Sequence, residues 1–142
     1  MRRVRFLRYA QYVPDLYGSV VMASPSLLQS EPAVATAVLR AMHRGVLDML
    51  ADPEAGLEAT LQASPGLLRA SERARLKATL DLEMSPALPA ETRQTHIGDV
   101  DTARLTRSIA LMVQSAGLPR TPTPSEVFTS DYLPPAKLRA RS

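Results

Sequence analysis

The sequence predicts a mostly helical α+β fold of two short strands, about four helices and an extended tail. Three observations predict it. An apolar run with β-branched residues spans Tyr17 to Ala23, and four stretches of helical periodicity open on capping residues. Twelve prolines against six glycines mark element boundaries more than flexible linkers.

Taken in order, Arg3 to Tyr9 alternates basic and apolar residues with one slip at Leu7, the pattern of a half-buried strand. Pro14-Asp15 marks a turn. Tyr17 to Ala23 then reads as a strand covered on both faces, closed by Ser24-Pro25. The first helix starts near Ser30 as N-cap, with Glu31 at the positive end of the dipole and Pro32 where a missing N–H costs nothing. Val34, Val38, Ala41, Met42, Gly45, Val46, Met49 and Leu50 give it a wide apolar face, expected to lie on a sheet. Thr36, Arg40, His43, Arg44 and Asp48 form the opposite stripe, which places His43 in solvent.

Asp52-Pro53 repeats the cap-then-proline device and opens a shorter helix to about Ala63, broken by Ser64-Pro65-Gly66. Leu76, Leu80 and Met84 at spacing four predict a third helix over Ser71 to Met84, ended by Pro86 and Pro89. Asp101 caps a fourth, in which Leu105, Ile109, Met112 and Ala116 line one stripe and Gly117 supplies the stop. The tail that follows holds one helical turn near Ser125 to Phe128.

With 142 residues, 45% hydrophobic and 22% charged, the chain suits a single domain, read as residues 1–23, 24–118 and a proline-rich 119–142. Its net charge of +3 invites a nucleic-acid reading, so the placement of charge matters. Seven of the seventeen basic residues (Arg2, Arg3, Arg5, Arg8, Lys137, Arg139, Arg141) lie at the two ends. The ten others are outnumbered by fourteen acidic residues, leaving −4 in the body, and only 4% of residues are aromatic. No nucleic acid is expected.

Zero cysteines exclude disulfides, thiol catalysis and thiolate metal sites. Arg2-Arg3 faintly resembles a twin-arginine export signal, but the apolar stretch such a signal needs is interrupted, so no signal peptide is read. No segment is apolar enough for a transmembrane helix. His96 lies near Asp99 and Asp101, but Asp101 serves as a cap and no third ligand is nearby, so no metal is expected. There is neither a glycine-rich phosphate loop nor a nucleophile elbow at Gly18-Ser19. Catalytic residues and cofactors are therefore read as none.

Four stretches, Tyr12 to Leu28, Ser30 to Leu57, Gly98 to Met112 and Pro124 to Pro135, occur in an order that resembles the C-terminal half of substrate-binding proteins of the SsuA/THI5 (NMT1/THI5-like) family. Those proteins serve ABC importers. The resemblance implies part of a two-lobe periplasmic-binding-protein type II α/β fold, with residues 1–23 as strand and crossover segment and residues 24–118 as a helical flank of the first lobe. The other half would lie outside this chain, as a truncation of the reading frame or a separate chain. That would account for a two-strand unit that cannot stand alone.

The resemblance also implies a function. The chain would bind a small nutrient, a thiamine pyrimidine precursor or a related nitrogenous or sulfonate compound, and deliver it to a membrane permease. It would do no chemistry, in a periplasmic or extracellular membrane-associated setting. Tyr12, Asp15 and Tyr17 on the crossover would be ligand-binding, because two phenol rings and a carboxylate suit a small ring that stacks and donates N–H protons. The missing half or self-association would cover the incomplete core. Two alternatives stay open: a fragment of a THI5-like pyrimidine-synthesis enzyme, and a free-standing helical interaction module.

Overall fold

The computed structural model describes Leu7, residues 9–83 and residues 96–139. The described residues are mostly helical and contain no strand. They group into two compact units. One comprises the segment up to Val21 together with Val100–Thr129, and the other comprises Met22–Asp99 and the segment from Ser130 on.

Among the described residues neither expected strand is found. Arg3 to Tyr9 lies outside the described residues except for Leu7 and Tyr9, and Tyr9–Gln11 forms a 3-10 turn. Tyr17 to Ala23 runs without strand pairing, and Val20, Val21 and Met22 are 68%, 55% and 88% exposed. Local β propensity is a preference for a pleated, half-buried surface, and here no neighbouring strand supplies one.

In the second unit, α1 (Pro25–Ser30) begins where Ser24-Pro25 was read only as a strand end. The Ser24 hydroxyl accepts the Leu27 N–H at 3.2 Å, and Pro25 fills the first turn. Ser30 closes this helix and does not cap the next, its hydroxyl donating to the Ser26 carbonyl at 2.8 Å. Helix α2 (Pro32–Ala51) starts one residue later, at Glu31, whose N–H still bonds the Leu27 carbonyl of α1 at 2.8 Å. The face that α2 covers is also rotated from the expected one. Ala35 and His43 are buried, with Leu39, Val46 and Leu50 half-buried on the same side, while Val34, Val38 and Met42 remain about half exposed.

Asp52-Pro53 behaves as expected: the Asp52 carboxylate accepts the Glu54 and Ala55 N–H groups, both at 3.1 Å, and opens α3 (Pro53–Ala63). Such a cap is worth about 1 kcal/mol. Leu57 is the most deeply buried side chain among the described residues, 2% exposed, and it belongs to α3, which packs on both α2 and α4. The approach is close, since a Cβ at Gly56 would sit 2.9 Å from Met49 Cγ.

Helix α4 (Arg69–Glu83) begins two residues ahead of expectation, and its far end at Met84 lies outside the described residues. It is tied to α3 by forked ion pairs from Arg69 to Glu58 and from Arg73 to Glu54, the latter at 2.9 and 2.7 Å. Both pairs are largely exposed, so they fix register more than they add stability.

In the first unit, α5 (Thr102–Ala116) has the caps expected of it. Asp101 accepts the Arg104 N–H at 2.6 Å, and Gly117 ends the helix at φ 62°. The tail supplies α6 (Pro124–Val127), which packs on α5, and a 3-10 turn at Ala136–Leu138 belongs to the second unit.

At α6, the Glu126 carboxylate accepts from the Thr123 N–H at 2.6 Å, from Arg120 at 2.6 Å and from the Thr123 hydroxyl at 3.0 Å. These bonds, the Thr123 N–H first, lower the Glu126 carboxyl to about 2. The folded group is the stronger acid, so the stabilisation is complete above its ordinary pKa of 4.5 and fades as pH falls toward 2. Carbon-detected NMR titration should show this midpoint. Arg120→Gln should raise it only in part, because the backbone donor remains; an unmoved or ordinary midpoint would contradict the capping geometry.

Candidate functional site

The three residues expected to bind ligand lie on one tightly turned segment. Tyr9 O accepts the N–H groups of Tyr12 at 2.9 Å and Val13 at 2.8 Å, and Val13 O accepts the Leu16 N–H at 3.2 Å. The chain is thus folded back on itself just before it meets α5. Helix α5 then holds it through two arginines one turn apart.

Arg104 is the centre of this contact. Its Nε donates to the Asp15 carbonyl at 3.2 Å, and Nη2 donates to the carbonyls of Pro14 at 3.2 Å and Leu16 at 2.8 Å. Its guanidinium also lies 4.2 Å from the centroid of the Tyr17 ring. A planar cation with five donors suits three converging carbonyls and a π face together, which an ammonium does not. The Tyr17 hydroxyl completes the latch, accepting the Asp101 N–H at 3.0 Å and donating to the Asp101 carbonyl at 3.3 Å.

Arg107 takes the Asp15 side chain. Nε and Nη2 meet the two carboxylate oxygens at 2.9 and 2.8 Å, a two-point fork. The hydrogen bonds from Arg107 hold the Asp15 carboxyl below its usual range. That contact is present above the ordinary carboxylate range and weakens as pH falls below it.

The structure therefore unites Asp15 and Tyr17 on the Asp101 to Arg107 turn of α5, while Tyr12 takes no part and is 70% exposed. Each Asp15 oxygen accepts one Arg107 bond and keeps a second lone pair, so the carboxylate can still take an N–H from a ligand. The Tyr17 ring has one face occupied by Arg104. Sequence reading passed over Arg104 and Arg107. Their only local signal is a pair of arginines at spacing three following a cap, which by itself reads as a solvated helix face.

Comparison with known proteins reaches only the first part of the chain. Residues 1–56 match the family model described as NMT1/THI5 like, which takes in Tyr12, Asp15, Tyr17, α1 and α2 and ends inside α3. No curated protein and no solved structure matches the chain. Among the described residues, no group of three or more His, Cys, Asp or Glu is placed to hold a metal ion. No helix among them is long and apolar enough to cross a membrane.

Proposed function

We propose that the chain is part of the substrate-binding component of an ABC importer for a small nutrient, a thiamine pyrimidine precursor or a related nitrogenous or sulfonate compound. It captures that ligand and passes it unchanged to a membrane permease, in a periplasmic or extracellular membrane-associated setting. The observation that carries this reading is the NMT1/THI5-like match over residues 1–56, which contains all three candidate ligand residues. The geometry supports it in one respect. Arg104 and Arg107 stiffen the segment, and a pre-set backbone loses less entropy on binding than a loose one.

Within this reading the residues divide the work. Tyr12 offers an exposed ring for stacking, and Asp15 offers its remaining lone pairs to ligand N–H groups. Tyr17 holds the backbone in place. Tyr12→Ala is then expected to weaken binding of the cognate ligand about tenfold, the scale of one lost aromatic contact, with the thermal midpoint unchanged. Calorimetric titration reads the first and a melting curve the second; unchanged affinity would remove Tyr12 from the site.

A second reading, the helical interaction module, is favoured by one observation. Val34, Val38 and Met42 form a half-exposed apolar stripe along α2.

A further inference from the structure

Gly18 to Ala23 is a run of chain that takes no partner. From Leu16 to Ser24 the backbone makes neither turn nor bend, and Gly18 to Ala23 are all exposed, with Val20, Val21 and Met22 at 68%, 55% and 88%. Among the described residues, none of these six gives or receives a hydrogen bond through backbone or side chain. Their N–H and C=O groups are left to water.

The composition is nevertheless that of a strand. Val20 and Val21 are β-branched, and period two sets Val20 and Met22 on one face and Val21 and Ala23 on the other. Both faces are therefore apolar. The devices that keep a lone strand from pairing are charges, proline and bulges. The run has neither charge nor proline: Leu16 to Ser30 holds no charged residue, and its one proline, Pro25, falls after Ser24. The residues that bound the run are engaged elsewhere. Arg104 donates to the Leu16 carbonyl at 2.8 Å, the Tyr17 hydroxyl accepts the Asp101 N–H at 3.0 Å, and Ser24 caps α1. What stays free is a stretch of ordinary strand length.

We propose that Gly18–Ala23 is a strand-pairing segment through which two copies of this chain associate, antiparallel about a two-fold axis at Val21. In such a pair, opposed residues share a face of the ribbon, so a two-fold axis through the ribbon passes between two copies of one residue. With Val21 on the axis, Val21 faces Val21 of the second copy, Val20 faces Met22 of the second copy, and Ser19 faces Ala23 of the second copy. The three large apolar side chains of the run thereby meet one another. The occupant is a second copy because a neutral run offers no charge for a charged partner to match, while like segments pair without repulsion. The pairing is short, so the association is weak and depends on concentration.

The chain has no cysteine, which makes single-cysteine variants of the full chain direct probes. Opposed residues of an antiparallel pair have Cα atoms about 4.5–5.5 Å apart, within the reach of a disulfide. Val21→Cys should form a disulfide-linked dimer under mild oxidation about tenfold faster than Leu68→Cys, a 73% exposed position between α3 and α4, because pairing raises the effective concentration of the thiols. Sedimentation equilibrium of the unaltered chain should show reversible dimerisation. Val21→Asp sets two carboxylates face to face and should weaken it about tenfold at neutral pH. The far-UV spectrum should not change, since Val21 is exposed in the single chain. A monomer at about 1 mM would overturn the proposal and leave the run to the sheet edge of a different chain. Equal cross-linking of the two cysteine variants, or a dimer that Val21→Asp leaves intact, would overturn it as well. None of these readouts involves a bound nutrient, so this proposal and the ligand reading fail separately.

Discussion

Arg104→Ala is expected to release residues 14–17 from α5. The substitution removes three hydrogen bonds from a charged donor to the carbonyls of Pro14, Asp15 and Leu16, and the cation over the Tyr17 ring. Each such bond is worth about 1.5–3 kcal/mol when its partner is left unsatisfied, but these carbonyls are partly exposed and water replaces some of the loss. A net cost of about 2–3 kcal/mol is expected.

Chymotrypsin gives a direct readout, because Leu16 and Tyr17 are its sites and neither lysine nor arginine lies between Tyr9 and Ser24. Cleavage there should accelerate at least tenfold. Arg104→Lys should rescue little, since one ammonium cannot reach three carbonyls and also lie flat on a ring. Equal cleavage rates in all three proteins would show that the latch does not hold the segment.

The second large effect lies in the other unit. Leu57→Ala is expected to cost about 2–5 kcal/mol, because it deletes the most deeply buried side chain among the described residues and leaves a cavity in its place. Typical domains are stable by only about 5–15 kcal/mol, so the variant should lose much of its cooperative transition in urea. Leu57→Met keeps the volume and should cost less than about 1.5 kcal/mol. If Leu57→Ala unfolds at the same urea concentration as the parent, the packing of α3 is not where this unit's stability resides.

These two sites also show what a sequence carries. Asp52, Asp101 and Gly117 were legible because a cap bonds to groups within a few residues of itself, so its signal is local. Ser30 misled because two helices abut: Ser24 already capped α1, and Ser30 closed it instead of opening α2. Tyr17 to Ala23 has strand composition, yet strand formation depends on a partner that composition cannot reveal.

The same limit explains His43. Its helical spacing puts it among Arg40, Arg44 and Asp48, yet the Ile97 carbonyl that buries it comes from 54 residues away. Likewise Arg104 meets its carbonyls across about 90 residues, and Arg107 meets Asp15 across 92. The turn at Pro14-Asp15 was therefore legible in the sequence, and its contact with α5 was not.

The central claim is that this chain binds a small nutrient through residues near Asp15. Isothermal titration of the full chain against a panel of aminopyrimidines and alkanesulfonates tests it most directly. The account predicts saturable one-to-one binding of at least one member, weakened by Tyr12→Ala and by Asp15→Asn in chains that melt as the parent does. Absence of binding across the panel, or binding untouched by both substitutions, would contradict it.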